Sequence, residues 1–325
     1  MPPTISVALC TFNGAEFLQI QLDSIFSQSV RPNQIIVADD GSTDRTLRIV
    51  EEFFYAHRND DVDLRLLHST ERLGVVKNFE RAVLATSGDL IVLCDQDDRW
   101  HSNRLATSAA AFASSDSLLL QHSDADLVDR CGGSLGTTLF AALGVSSRER
   151  GEVAAGNAFD MYLRRNLVTG ATTVFRRSLL DMACPFPNEW VHDEWLGIVA
   201  SAIGSVAITE ESLVDYRQHG FNQIGVAAPT LRYRLRRMLE PRGARHTKLA
   251  TRAVVLLERL QNLTVSSERL SLAKDKAKFE QLRSRYPANR LARFAPIVRE
   301  WRKGSYGRLS SQGNLDVARD LIQPA

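Results

Sequence analysis

The run Gln34-Ile-Ile-Val-Ala-Asp-Asp-Gly-Ser-Thr-Asp44 decides the fold. It opens with β-branched apolar residues and closes on a cluster of turn formers. A short apolar run bounded in that way reads as a strand buried on both faces. The pattern recurs on either side. Ile5-Ser-Val-Ala-Leu-Cys10 runs into Thr11-Phe-Asn-Gly14, Leu64-Arg-Leu-Leu67 is a shorter run, and Asp89-Leu-Ile-Val-Leu-Cys94 runs into Asp95-Gln-Asp-Asp98. Helical segments separate them. Glu16 to Gln28 carries Phe17, Ile20, Leu22, Ile25 and Phe26 before Pro32, Thr46 to Tyr55 follows, and Gly74 to Ala85 ends at Ser87-Gly88. Strand alternating with helix predicts an α/β fold, a mixed but mostly parallel sheet with flanking helices. The polar clusters fall just past the strand ends, where open α/β sheets bind ligands.

The rest of the chain is less regular. Ser117-Leu-Leu-Leu-Gln121 predicts another strand, and Gly132 to Gly151, rich in Gly and Ser, predicts a loop or lid. Asn166 to Phe175 reads as a strand interrupted by Gly170, where a bulge or close ligand approach is expected. Beyond Pro229 the pattern is helical. Leu249, Ala253, Leu256, Leu257, Leu260 and Leu263 share one face, as do Leu291, Phe294, Val298 and Trp301. Two domains are expected, 1–228 and a basic helical extension, 229–325.

Charge supports that division. The 325 residues carry 40 Lys/Arg and 38 Asp/Glu, a net of +2. Residues 229–325 hold 22 basic and 8 acidic residues, leaving 18 and 30 for the first part, so the sum is +14 against −12. Such asymmetry points to different roles. With 44% hydrophobic and 24% charged residues, the chain is not a disordered one. No apolar run approaches the ~18 residues of a membrane span. The start Met-Pro-Pro-Thr-Ile-Ser-Val predicts no signal peptide. Cys10, Cys94, Cys131 and Cys184 lie far apart, which predicts a reducing, cytoplasmic setting without disulfide or zinc framework.

Four clusters bear chemistry. Asp39-Asp-Gly-Ser-Thr-Asp44 can accept hydrogen bonds from a nucleobase or ribose, or serve as a capped turn. Asp95-Gln-Asp-Asp98 offers the oxygen ligands that Mg²⁺ or Mn²⁺ prefer, or forms an acidic turn anchored by Trp100. His192-Asp-Glu-Trp195 places a carboxylate among aromatic residues, which suits a general base or a helix N-terminal acid. Tyr216-Arg-Gln-His-Gly-Phe-Asn222 offers Arg217 and His219 for phosphate, with His219 also able to complete a metal shell. No G-x-G-x-x-G follows the first strand, and neither a phosphate loop with G-x-x-x-x-G-K-[ST] nor a G-x-S-x-G elbow is present.

Together these residues resemble the family 2 glycosyltransferases, with a GT-A fold, over about residues 4–225. The resemblance rests on Val7-Ala-Leu-Cys-Thr-Phe-Asn13, Asp39-Asp-Gly-Ser-Thr-Asp44, Asp95-Gln-Asp-Asp98, the Gly170 segment, His192-Asp-Glu-Trp195 and Tyr216-Arg-Gln-His-Gly220. Within the family the chain is most similar to bacterial rhamnosyltransferase-like enzymes of surface polysaccharide and O-antigen assembly. The resemblance implies that Asp40 contacts the base of a nucleoside diphosphate sugar, UDP or dTDP favoured, with Thr11, Asn13 and Asp39 nearby. It makes Asp97 the main metal-facing residue, with Asp95 and Asp98 around it, and Asp193 the base. Where the family commonly has Glu-Asp, this chain has His192-Asp193. The Gln-x-x-Arg-Trp motif of processive enzymes is absent, so a single addition to a glycan or lipid-linked acceptor is implied. A nucleotidyltransferase is the first alternative, but Thr11-Phe-Asn-Gly14 lacks the basic residues of a triphosphate loop. A non-catalytic sugar-nucleotide binder is the second. Basic residues without aromatic interleaving argue against nucleic acid. Arg232, Arg234, Arg236 and Arg237 crowd around an apolar face of Leu231, Leu235, Met238 and Leu239. That helix predicts peripheral contact with the anionic inner face of the plasma membrane, or a homo-oligomer.

Overall fold

The computed structural model describes residues 2–219 and 244–324. Nine strands form one sheet: β1 Ile5–Thr11, β2 Gln34–Asp39, β3 Asp63–His68, β4 Leu90–Asp95, β5 Arg99–Trp100, β6 Leu118–Val128, β7 Ser134–Thr138, β8 Thr173–Arg176 and β9 Ser205–Arg217. Their order is β3-β2-β1-β4-β8-β6-β9-β5, with β7 beside β6. The first four are parallel neighbours. β8 is antiparallel to both β4 and β6, and β6 and β9 are parallel again. Every residue of β2 is buried, as an apolar run covered on both faces requires, whereas edge strand β3 alternates.

Helices α1 Leu18–Phe26, α2 Thr46–Ala56, α3 Val75–Leu84 and α4 Arg104–Ala113 connect the early strands. Leu22, Ile25 and Phe53 from them join Val7, Leu9, Ile35, Val37 and Val92 in one core. Registers then fix the functional edge. Thr11 pairs with Asp39, Asp39 with His68, and Cys10 with Asp95. The polar residues that end β1, β2 and β4 therefore stand in one row.

The expected loop at 132–151 is instead folded. It holds β7, α5 Leu139–Leu143 and α6 Ser147–Ala154. Thr138 caps α5, and Ser146 with Glu149 forms a capping box for α6, a Ser-x-x-Glu signal that the small residues around it obscured. The interrupted strand resolves into a short 3₁₀ turn at Gly170–Thr172 followed by β8. After α8 Leu180–Ala183, α9 His192–Ile203 starts at the predicted His-Asp-Glu cluster.

The described residues divide into two compact units. One comprises 2–156 and 167–219. The other comprises 157–166 and 244–324. In the second unit, α7 Ala158–Arg164 is grouped with α10 Arg245–Gln261, α11 Ser267–Ser284, α12 Arg290–Arg302, α13 Ser305–Leu309 and α14 Asn314–Ile322. Ala253, Leu256 and Leu260 of α10 are buried as their periodicity requires. α12 is turned the other way. Its buried residues are Arg293, Ile297 and Glu300, while Leu291, Phe294 and Trp301 face solvent. Polar groups meet these inner side chains: Arg293 donates to the Gln323 carbonyl, and Glu300 accepts from Lys303 Nζ at 2.8 Å and Ser305 Oγ at 2.7 Å. The predicted helix 231–239 and residues Gly220, Phe221 and Asn222 lie outside the described residues.

Candidate active site

The ends of β1 and β2 build the first corner. Asp39 is fully buried and accepts hydrogen bonds from Thr11 Oγ1 at 2.8 Å, Ser42 N at 2.8 Å, Ser42 Oγ at 2.5 Å and Gly41 N at 3.2 Å. Its carboxylate thus shapes the 39–42 turn. Asp40 sits beside it and accepts from Leu73 N at 2.6 Å and Gly74 N at 3.0 Å, which ties the turn to the start of α3. Asn13 adopts φ 49°, a left-handed conformation that Asn tolerates better than most residues. Its amide oxygen accepts from Thr43 N at 2.9 Å and its own N–H donates to Ser42 Oγ at 2.8 Å. Thr11, Asn13, Asp39 and Asp40 therefore share one loop cluster, floored by Phe12 with Arg72 over its ring at 4.0 Å.

The end of β4 builds the acidic corner. Gln96 makes two bonds to one residue, accepting from Phe12 N at 2.8 Å and donating to Phe12 O at 3.0 Å. That clamp locks the first two corners together. Asp95 is pushed up to about 7, chiefly by loss of solvent and then by the charges of Asp97 and Asp193. Asp98 is also raised well above the usual carboxylate range by burial. Its Oδ1 accepts from Arg217 N at 3.0 Å, so it faces the protein interior. Asp97 Oδ2 lies 2.7 Å from His219 Nε2. Beneath them Arg104, fully buried over Trp100 at 4.0 Å, supplies a compensating positive charge to Asp95 and Asp98. Arg217 is a staple. It donates to the carbonyls of Asp97, Asp129 and Arg130 at 2.8, 3.3 and 2.9 Å, and its guanidinium lies over Phe17 at 5.0 Å. His219 stacks on the same ring at 5.1 Å.

The third corner is the N-terminus of α9. Asp193 Oδ2 accepts from Gly170 N at 2.8 Å and Oδ1 from Glu194 N at 2.7 Å. Both bonds fix its rotamer, and its charge is felt at Asp95. Gly170 is needed for that approach: a Cβ there would stand 3.1 Å from His192 Nε2 and 3.6 Å from Asp193 Oδ2. His192 stacks on Phe79 at 4.0 Å, and neither ring nitrogen has a hydrogen-bond partner among the described residues. Burial pushes its pKa down to about 3, so the ring is neutral at physiological pH.

The predicted residues thus fall into three groups along one edge of the first unit. Sequence reasoning missed Gln96, although it lies inside the acidic cluster. It also missed Asn78 and Arg81 of α3, whose side chains hold the carbonyls of Ala38 and Asp39. Only their place on a helix after β3 marked them. The hard-oxygen donors Asp95 and Asp97, repelling one another, suit Mg²⁺ or Mn²⁺. They do not by themselves make a three-ligand set. Among the described residues only His101, Asp126 and Asp215 bring three ligand atoms within 4.8 Å. A two-carboxylate site completed by substrate phosphates is the usual arrangement for Mg²⁺.

A parallel-to-antiparallel α/β sheet with acidic strand ends at one edge defines a GT-A fold. Residues 6–126 match the family described as Glycosyl transferase family 2. A dTDP-rhamnosyl transferase, RfbG, of Shigella flexneri is 34% identical over 101 residues, 30% of this chain and 34% of that protein. An uncharacterized glycosyltransferase of Nostoc sp. is 24% identical over 226 residues, covering 67% of this chain and 66% of its own length. An uncharacterized Mycobacterium tuberculosis protein is 35% identical over 97 residues, and the chain spans only 27% of that relative's length. Among solved structures, the mannosyltransferase PcManGT of Pyrobaculum calidifontis, in complex with GDP-Man and Mn²⁺, superposes with TM-score 0.54 at 19% identity, covering 99% of this chain and 86% of the other. S. aureus TarS in complex with UDP-GlcNAc gives 0.54 at 17%, covering 98% and 90%. These two likenesses establish the fold. Among the described residues no helix is long and apolar enough to cross a membrane.

Proposed function

We propose that the chain is a metal-dependent inverting glycosyltransferase. It moves a hexosyl or deoxyhexosyl unit from a nucleoside diphosphate sugar, UDP or dTDP favoured, to a hydroxyl of a glycan or lipid-linked acceptor in cell-surface polysaccharide synthesis. The observation that carries this reading is the single row of Thr11, Asp39 and Asp95, with Asp193 close enough to perturb Asp95. The catalytic machinery is assigned to residues 1–228, and the basic region 229–325 to peripheral contact with an anionic membrane at the cytoplasmic face or to self-association.

The chemistry follows from charge. The departing diphosphate gains negative charge, and a divalent cation supplies Lewis-acid stabilisation of it. Asp95 and Asp97 are the residues that would hold that cation. Asp98, facing inward, keeps β9 in place through the Arg217 amide. The loop cluster of Asn13 and Asp40 positions the nucleoside. Asp193 takes the proton of the acceptor hydroxyl as its oxygen bonds to the anomeric carbon. The bond from that carbon to the diphosphate oxygen breaks on the opposite face, which inverts the centre. General-base assistance is typically ~10²–10⁴-fold.

The test is Asp193→Asn with a panel of UDP-, dTDP- and GDP-sugars and Mn²⁺. Expected is loss of transfer by about 10²-fold or more with donor-induced thermal stabilisation retained. A fully active variant removes Asp193 from the role. A wild-type protein stabilised by no donor, with or without EDTA, overturns the glycosyl-transfer reading and favours neither alternative.

A further inference from the structure

The second unit carries an apolar surface that its own core does not use. On α12, Leu291 is 86% exposed, Phe294 57% and Trp301 49%, and Val298 between them is half-buried. At about 100° per residue these four fall within one narrow stripe. The buried side of the helix, with Arg293, Ile297 and Glu300, lies next to this stripe and does not include it. The stripe extends onto α14: Trp301 Nε1 donates to Asn314 Oδ1 at 3.1 Å, and the next residue, Leu315, is 57% exposed.

What borders the stripe identifies its occupant. Arg290 lies on one flank, Arg299 and Arg302 on the other, and Lys303 follows; all four are exposed. Glu300, the acidic residue of α12, is turned inward onto Lys303 and Ser305. The exposed charged residues of α12 are therefore all cationic. A protein partner's apolar face is usually ringed by mixed polar residues. Exposed Trp, Phe and Leu between Arg and Lys match a surface of anionic headgroups over acyl chains. An indole with its N–H satisfied at the polar end suits that boundary.

We infer that α12 lies on an anionic lipid surface, with Leu291, Phe294, Val298 and Trp301 among the acyl chains and Arg290, Arg299, Arg302 and Lys303 at the headgroups. This deepens the proposed membrane contact by assigning it to a particular helix face. It is tested without donor or acceptor, so it can fail while glycosyl transfer stands, and the reverse.

The full chain is sedimented with vesicles of equal parts phosphatidylcholine and phosphatidylglycerol, and with phosphatidylcholine alone, at low and high salt. Binding is expected to the anionic vesicles only, weakened by salt. The triple variant Leu291→Ser/Phe294→Ser/Trp301→Ser should lose about tenfold or more in affinity. Because these side chains are exposed, its melting temperature should match the wild type. Brominated acyl chains should quench a wild-type emission component that Trp301→Phe lacks, since Trp100 and Trp195 are buried and Trp190, half-buried, is retained in both proteins. Vesicle binding unchanged in the triple variant overturns the assignment, as does absence of binding at low salt. A concentration-dependent dimer that the same substitutions dissolve also overturns it, and makes the stripe a self-interface.

Discussion

Single residues in this site divide by what their polar atoms already hold. Asp98 spends one oxygen on the Arg217 amide and is raised well above the usual carboxylate range, so Asn is close to an isostere of its protonated form. Asp98→Asn should keep both the fold and Mn²⁺-induced stabilisation, whereas Asp97→Asn should lose the second; thermal shift with and without Mn²⁺ separates them. Gly170→Ala drives a methyl to 3.1 Å from His192 Nε2 beside the proposed base. Turnover should fall about tenfold or more, with donor KM unchanged, in steady-state kinetics. The acidic residues were legible in the sequence because each ends a buried strand. Their division of labour was not. Whether Asp97 or Asp98 turns outward depends on β9, a strand more than 100 positions away whose register no local pattern reveals. His192 was legible only as a departure from Glu. That it is neutral and stacked on Phe79 follows from packing.

At the scale of elements, β4 carries an ionisation cost that sets a pH dependence. Asp95 is held at about 7 in the fold, against about 3.9 in an unfolded chain. Between those values the folded state binds more protons, so the metal-free protein should lose stability as pH rises from about 4 to about 7. A cation must displace that proton, so Mn²⁺ affinity should weaken about tenfold per pH unit below 7. Calorimetric titration at several pH values would measure both the affinity and the released proton; pH-independent binding would exclude Asp95 as a ligand. The first four strands and three helices were legible because periodicity and turn residues agree there. α12 was not legible in orientation. Its apolar residues face outward, while Gln323, Lys303 and Ser305 bond Arg293 and Glu300 inside. Pattern alone assumes that charge stays in water.

Across the whole molecule, the second unit relies on buried ions as well as on its apolar cluster of Phe279, Tyr286, Ile297, Tyr306 and Leu309. Arg283 pairs with Asp320 through Nε at 2.7 Å and Nη2 at 3.0 Å, and Tyr306 donates to the same carboxylate at 2.8 Å. Removing Arg283 leaves the buried carboxylates of Asp320 and Glu280 without its guanidinium. Arg283→Met should therefore cost that unit about 3–5 kcal/mol, measured by denaturant unfolding of the full chain. The charge split between the two regions was legible by counting; the contribution of 157–166 to the second unit was not, since Ala158-Phe-Asp-Met-Tyr-Leu-Arg164 reads like any short apolar helix. That excursion has a consequence for biosynthesis. As the chain leaves the ribosome, α7 appears well before α11 and α13, the helices it packs against. Phe159, Tyr162 and Leu163, buried in the finished protein, must wait until those helices emerge. A truncation ending at residue 228 strands them permanently. It should aggregate, and Phe159→Ser with Leu163→Ser should restore soluble yield. Chaperone engagement during synthesis should accordingly begin near α7 and end once the last helices are complete.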